Sequence, residues 1–363
     1  MHLALKGINI AILWHFALAL VIFMLSISNV SLAKITKIIG LKMNVIDHCW
    51  RWNPDWRRNR QQLATCSVGY AGKMTNNIGR GLTQYVVTEP SDNPINPKPG
   101  TLRYGTTMIK GKKWITFQRS MRIRLEKPLL ISSFTTIDGR GFNVHIAGNA
   151  CLMIYKQSNI IIHGLRIHHC RSQPPSTVMG PDLKIISLGQ VWLDHNTLYD
   201  SDDGLLDFKN QDKVILLGHD DGFLRDKNMK VTVMYNHFGP NCNQRKPRIR
   251  FRYAHVVNNL YQGWMQYAIG GSMNPSVKSQ ANIFIAPKSG NKEVTWRNGE
   301  KGSWKFYSVN DVFENGARFI EAGASGVKPN YNHEQVFQAA NARIARSLTK
   351  STGASQCIPW SRC

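Results

Sequence analysis

"KVTVMYNHFGPNCNQRKPRIRFRYAHVVNNLY", Lys230 to Tyr261, contains two strand-like runs that superpose when one is slid by 23 residues. Val231, Val233, Asn236 and Phe238 fall in order on Ala254, Val256, Asn259 and Tyr261. Apolar residues two apart share one face of a strand, and the asparagine recurs at the turn that follows. Upstream, Val191, Leu193, Asn196 and Leu198 fit the same frame, and so do Ile160, Ile162, Leu165 and Ile167. A unit of this length is one turn of a parallel β-helix. A recurring turn asparagine predicts a stacked amide ladder, because each rung lies above an equivalent neighbour. The intervals are 31, 40 and 23 residues, and the 40 is too long for one rung and too short for two. A sandwich or barrel is the alternative that such alternation also allows.

Working outward, short β-branched runs begin near Trp114 ("WITF", "LLISSFTTIDGRG", "VHIAG", "VILLGH"), separated by Gly, Asn and Asp turns. No long amphipathic helix is expected before Asn341 to Ser347, so the class is all-β. "DWRRNRQQLATC" predicts a cap helix starting near Asp55 with Leu63 turned inward. "EPSDNPINPKPGTLRYG" reads as an extended wrap without regular structure. The expected organisation is a leader over 1–33, a cap segment over 34–75, a β-helix over 76–310 and a wrapping segment over 311–363.

The first 33 residues carry one lysine, Lys6, then a long apolar run, then small residues at Ser31 and Ala33. That is a secretory signal, cleaved after Ala33; a membrane anchor is the alternative, since the run could span a bilayer. Without it the chain keeps 45 basic and 22 acidic residues, a balance that selects polyanionic partners. Seven cysteines suit an oxidising compartment. Local bridges Cys49–Cys66, Cys151–Cys170 and Cys357–Cys363 are the simplest pairing, with Cys242 left over, although spacing alone leaves connectivity open. Secretion argues against nucleic acid as the partner.

Several stretches invite chemistry. Asp203 and Asp207, four apart on a strand, share a face and could share an ion; a solvated acidic turn is the alternative. Asp194 and His195 in "VWLDHN" read as a structural turn rather than a catalytic pair. "GHDDG" and "DSDDG" offer paired carboxylates for glycoside hydrolysis, but no companion motif accompanies them. Trp50, Trp52 and Trp56 read as cap packing.

Taken together, "NVIDHCWRWNPDW", "TIDGRGFNVHIAG", "NIIIHGLRIHHC", "DDGLLDF", "KVTVMYNHFGPNCNQRKPRIR" and "YAIGGSMNPSVKSQANIF" resemble the plant pectate lyases, closest to the conifer pollen allergen type. The likeness runs from about Asn44 to about Glu293. It implies a right-handed single-stranded parallel β-helix with a short N-terminal helical cap, and calcium-dependent eliminative cleavage of de-esterified pectin. By position, Asp203 and Asp207 match calcium ligands, and Asp182 in "VMGPDLKIIS" is the one stand-in for a third. Lys213 matches a substrate-binding lysine, Arg245 the catalytic base and Arg250 a substrate-binding arginine. The family has a further strand-and-asparagine unit between "DGLLD" and "KVILLGH"; here Phe208 runs straight into Lys209, which accounts for the interval of 40. Arg252 stands where the family has a small glycine. The implied partner is polygalacturonate in the cell wall, acted on by a secreted monomer free of membrane after leader cleavage.

The residue types suit that chemistry. Elimination removes the proton at C5 of a galacturonate, alpha to an anionic carboxylate, and expels the C4 oxygen. Positive charge on the carboxylate must make that proton acidic; Ca2+ takes oxygen ligands, and Lys213 and Arg250 would add charge-assisted hydrogen bonds. Arginine is almost wholly protonated in water. Lys246, Arg248, Arg250 and Arg252 are therefore expected to supply a field that disfavours its charged form, with an alkaline optimum. Two alternatives remain: a catalytically impaired chain that still binds pectin, and a pectin lyase acting on methylated substrate.

Overall fold

The computed structural model describes residues 43–363 apart from 171–183, 187–188, 200–210, 219–220, 223, 241, 252, 299–303, 324–327, 356 and 359–362. Every ladder between its strands is parallel, and within each of two stacks successive rungs return to the same sheets. One stack is built on Thr83–Val87, Lys113–Phe117, Thr135–Asp138, Ile160–His163 and Val191–Asp194, in that spatial order. A second sheet of the same stack runs through Met121–Leu125, Val144–Gly148, Arg166–Cys170 and Thr197–Tyr199, and a third ends at Lys184–Ile186. The later stack is built on Lys230–Met234, Tyr253–Val257, Ser276–Gln280 and Lys305–Val309, with His237–Phe238, Leu260–Gln262, Ile283–Ile285 and Val312–Glu314 beside it. The expected parallel β-helix is the architecture found.

Each rung turns its first corner the same way. Gly164, His195, Tyr235, Asn258, Ala281 and Asn310 all have φ between 51° and 75°, and each immediately precedes the frame residue Leu165, Asn196, Asn236, Asn259, Asn282 or Asp311. The amide ladder runs through the later stack. Asn236 Nδ2 donates to Asn259 Oδ1, and Asn259 Nδ2 to Asn282 Oδ1, both at 2.9 Å; Asn282 Nδ2 reaches Asp311 Oδ1 at 3.0 Å. Asn196 makes the same backbone bonds to the rung before it as Asn259 and Asn282 do, accepting from Leu165 N–H and donating to the Ile162 carbonyl, but Leu165 offers no amide to extend the chain. The sequence frame thus located the corner but joined Asn196 to a ladder that starts at Asn236 and continues to Asp311.

The 40-residue interval falls where the ladders stop. Val191–Asp194 is the last strand of its sheet and Lys230–Met234 the first of another, with no pairing between them among the described residues. Buried side chains accordingly divide into two interiors, one around Ile115, Ile137, Ile146 and Ile160, the other around Ile249, Val256, Tyr261 and Phe284. A third cluster lies outside the strands, where Trp50, Trp56 and Leu63 of the cap cover Trp114, Ile161, Trp192 and Tyr235. It therefore touches the ends of both stacks.

The three local disulfides form as expected, leaving Cys242 buried and unbridged. The cap departs from expectation. An α-helix spans Val45–Trp50, capped by Asn44, whose Oδ1 accepts from the Ile46 and Asp47 amides. The stretch from Asp55 forms turns and then a 3-10 helix over Arg60–Thr65, with Leu63 buried. Arg57 and Arg60 at helical neighbour spacing oppose an α-helix, and the Cys49 bridge ties down its end. The Pro-rich wrap also ends in regular structure. Thr101 caps an α-helix over Leu102–Thr107, and Arg103 pins the preceding loop through Asp92 at 2.6 and 2.8 Å. The helix expected over Asn341 to Ser347 is a 3-10 turn at Ala342–Ile344 followed by Ala345–Leu348.

Candidate active site

The strand Cys242–Gln244 pairs with Gln211–Lys213, so Lys213 stands level with Gln244. The neighbouring chain then follows closely: Ile215 N–H donates to the Arg245 carbonyl at 2.6 Å, and Arg248 N–H to the Ile215 carbonyl at 2.9 Å. Arg245 itself has φ of 60° and is followed by a cis Lys246–Pro247 bond. These two adjacent residues separate. Lys246 is fully buried, donating through Nζ to the carbonyls of Cys242 and Gly263, with Trp264 beneath it. Burial pushes this lysine down to about 7. Arg245 is half-buried, and its Nε has no hydrogen-bond partner.

Beyond the turn, the strand Arg248–Arg250 alternates. Ile249 enters the core, which sends Arg248 and Arg250 to the opposite, outer face. Arg250 Nε donates to Asp221 Oδ1 at 2.7 Å. Gly218, with φ of 120°, passes so near that a Cβ would lie 2.7 Å from the Arg250 Cβ, so the close approach needs glycine. Arg248 is buried, with its guanidinium 5.0 Å over Trp296. Burial chiefly, and then the Arg250 and Arg245 charges, pull it below its ordinary value, against Tyr267 and Asp221, which raise it.

Of the residues expected from sequence, Arg245 and Arg250 therefore occupy one turn and strand, and the backbone of Lys213 lies one rung away. Asp182, Asp203 and Asp207 lie outside the described residues, as does Arg252. Lys246 is not on the outer face beside the arginines: it anchors the turn from inside, and burial weakens its hold on its proton. Sequence reasoning missed Tyr267, a buried ring against the Arg245 and Arg248 guanidiniums, whose phenol burial raises. Its only local sign is the glycine pair that follows in "YAIGG".

A second polar group lies under the cap. Asp194 Oδ2 is 2.9 Å from His163 Nδ1 and 3.0 Å from His195 Nδ1, and His195 Nε2 is 3.1 Å from Asp47 Oδ1 of the cap helix. Burial alone would lower His195, but Asp194 and Asp47 outweigh it and push it up to about 10. His163, Asp194 and His195 are the one grouping among the described residues that could hold a metal ion. Two imidazoles suit a transition metal rather than calcium, and an imidazolium clamped between carboxylates already accounts for the arrangement. "VWLDHN" is thus a structural corner, as its sequence suggested.

Comparison with known proteins agrees with this geometry. A family profile described as pectate lyase matches residues 205–357. "Probable pectate lyase 4" of Arabidopsis thaliana is 44% identical over 335 residues, 87% of this chain and 90% of that protein. "Pectate lyase 1" of Chamaecyparis obtusa is 41% identical over 350 residues, 87% and 92% of the two chains. The crystal structure of Jun a 1, the major allergen from cedar pollen, superposes with a TM-score of 0.81 at 40% identity, over 86% of this chain and all of that one.

Proposed function

The chain belongs to the pectate lyase family, and on that premise we propose that it is secreted and cleaves de-esterified homogalacturonan by calcium-assisted β-elimination, with Arg245 as the base. What carries the reading is the separation of Arg245 from Lys246, one left half-exposed and the other fully buried. The turn is held from within, so the guanidinium of Arg245 is presented without a lysine competing for the same anion.

Arg245 takes the C5 proton of one galacturonate. Arg250, steadied by Asp221, holds a substrate carboxylate, and Lys213 holds another from the neighbouring rung. Fixing both carboxylates aligns the C5 hydrogen with the base, and such positioning lowers the barrier before any bond breaks. Asp203 and Asp207, with Asp182, would hold calcium through carboxylate oxygens. When bound, that ion supplies positive charge at the substrate carboxylate. The apolar leader over 1–33 lies outside the described residues, and three disulfides support an oxidising destination.

The test mixes purified chain with polygalacturonate, with calcium or with chelator, and follows the unsaturated product by ultraviolet absorbance. Product should form only with calcium and fastest at alkaline pH. Arg245→Ala should lower turnover by about 10²- to 10⁴-fold while pectate binding persists. Binding without product at any pH or calcium level would sink the enzymatic assignment for this chain and leave a pectin-binding protein.

A further inference from the structure

We propose that Arg248, Tyr267 and Trp296 form a second subsite, which takes the galacturonate next to the one at Arg245. This deepens the reading above and rests on it. Register carries the argument. Leu216, Arg248, Gly270 and Trp296 are successive members of one column, each paired with the next across parallel rungs. Gly270 has no side chain there, and a Cβ would fall 2.4 Å from the Tyr267 ring. The bare position lets Tyr267 lie down against the sheet, stacked on Trp296 with centroids 5.0 Å apart and planes 6° from parallel. The Arg248 guanidinium sits over the same indole.

The polar ends of this shelf lack acceptors. Arg245 Nε and Arg248 Nε are buried with no hydrogen-bond partner, and the one bond from Arg248 to Ser272 Oγ is long, at 3.4 Å. Tyr267 Oη lies within reach of both guanidiniums, which lower its titration against the rise from burial, but neither guanidinium Nε is matched by it. Arg248 is 9% exposed and Tyr267 1%, so solvent does little to compensate. A buried donor left unpaired is costly, so a partner that supplies the acceptor gains by it. Two guanidiniums and a phenol converging without an acceptor match a carboxylate, which offers two oxygens to a bidentate partner. The half-buried indole beside them offers an apolar face to a sugar ring. An anionic sugar fits both halves, whereas inorganic phosphate would use only the first.

The experiment measures binding in chelator, where no turnover occurs, by calorimetry on the full chain. The probes are hexagalacturonate, its fully methyl-esterified form and inorganic phosphate. Arg248→Gln should weaken hexagalacturonate about tenfold and Trp296→Ala about fivefold, while Trp296→Phe stays within about twofold of the unaltered chain. The Arg248→Gln loss should vanish with the methyl-esterified probe, whereas the Trp296→Ala loss, which needs only the sugar ring, should remain. Unchanged hexagalacturonate affinity in both Arg248→Gln and Trp296→Ala would overturn the subsite. So would equal losses for phosphate and hexagalacturonate, which mark a general anion site. Should Arg248→Gln fold poorly, by its melting curve, the Trp296→Ala and Trp296→Phe pair decides. Turnover surviving in Arg245→Ala would instead defeat the catalytic assignment, and the binding data would then judge the subsite by themselves.

Discussion

Where the first stack carries Ile123, Ile146, Ile167 and Leu198 in one column, the second carries Phe238, Tyr261, Phe284 and Phe313. The corner beside each column changes with it. In the second stack the corner side chains bond to one another from Asn236 to Asp311, and the rings stack with centroids 4.5 to 5.7 Å apart. In the first, Leu165 and Asn196 make no such chain, and the outer face is covered by the cap, through Trp50 and the His163–Asp194–His195–Asp47 group. One stack is thus specified rung to rung by side-chain contacts of identical kind. The other combines aliphatic packing, which tolerates varied rungs, with an ion network supplied from elsewhere in the chain. At the interval where the described residues show no strand pairing, Tyr235 from the second stack and Trp192 from the first belong to one buried cluster beneath that same cap.

If the cap does join the stacks, Trp50 is the most sensitive place to test it. It is 1% exposed and meets His163 and His195 edge-on at 4.7 and 5.2 Å. Trp50→Ala should cost about 3–5 kcal/mol and, in proteolysis, expose both stacks together; loss confined to the cap segment would break the comparison. The corners come next. Asn259→Ala removes an acceptor used by Asn236 N–H and Nδ2 and a donor to Asn282, and should cost about 3 kcal/mol. Asn196→Ala, with two backbone bonds to one rung, should cost about 1 kcal/mol in the same denaturant titration. Equal costs would mean that the ladder adds nothing beyond its pairs.

The two stacks should also respond differently to pH. The carboxylates hold His195 as imidazolium, so its contribution is complete below its ordinary 6.5 and is lost as pH rises toward about 10. Chemical denaturation should register on the order of 5 kcal/mol across that window, and Asp47→Asn should flatten the slope. An alkaline optimum for cleavage would therefore lie where the cap is weakening. At the far end, burial raises Asp311 to about 6, against hydrogen bonds from Asn282 and Ser308 that lower it. Its charged form is then disfavoured in the fold as pH climbs past its ordinary 3.8 toward 6. Asp311→Asn would extend the amide ladder and should gain about 1 kcal/mol at pH 8 and nothing near pH 4, measured by thermal unfolding.

Alternation and turn residues made the β-helix legible, because strand period and corner asparagine are local properties that repeat in "KVTVMYNHF" and "AHVVNNLY". Short cysteine spacings made three local disulfides the simplest pairing, and the fold has them. Arg245 and Arg250 could be singled out only through motif likeness, since their run reads as uniformly basic by composition. What alternation cannot supply is register between rungs, which depends on the length of every intervening turn. That is why Asn196 seemed to belong with Asn236, and why the pairing of Arg248 with Trp296 across Gly270 left no trace in the sequence.

The sequence by itself determined the strand period and the corners, made local bridges the simplest pairing and, through its motifs, carried the likeness to a family, all of which rest on residues near one another in the chain. Only the tertiary structure decided the rest. A positive φ at Arg245 parts it from Lys246, leaving one cation half-exposed and burying the other among carbonyls. The fold likewise brings Asp47 to His195 and Tyr267 to Trp296. Charge and aromaticity are written in the residues, but their direction and their partners follow from the backbone angle at one turn and from which rungs become neighbours.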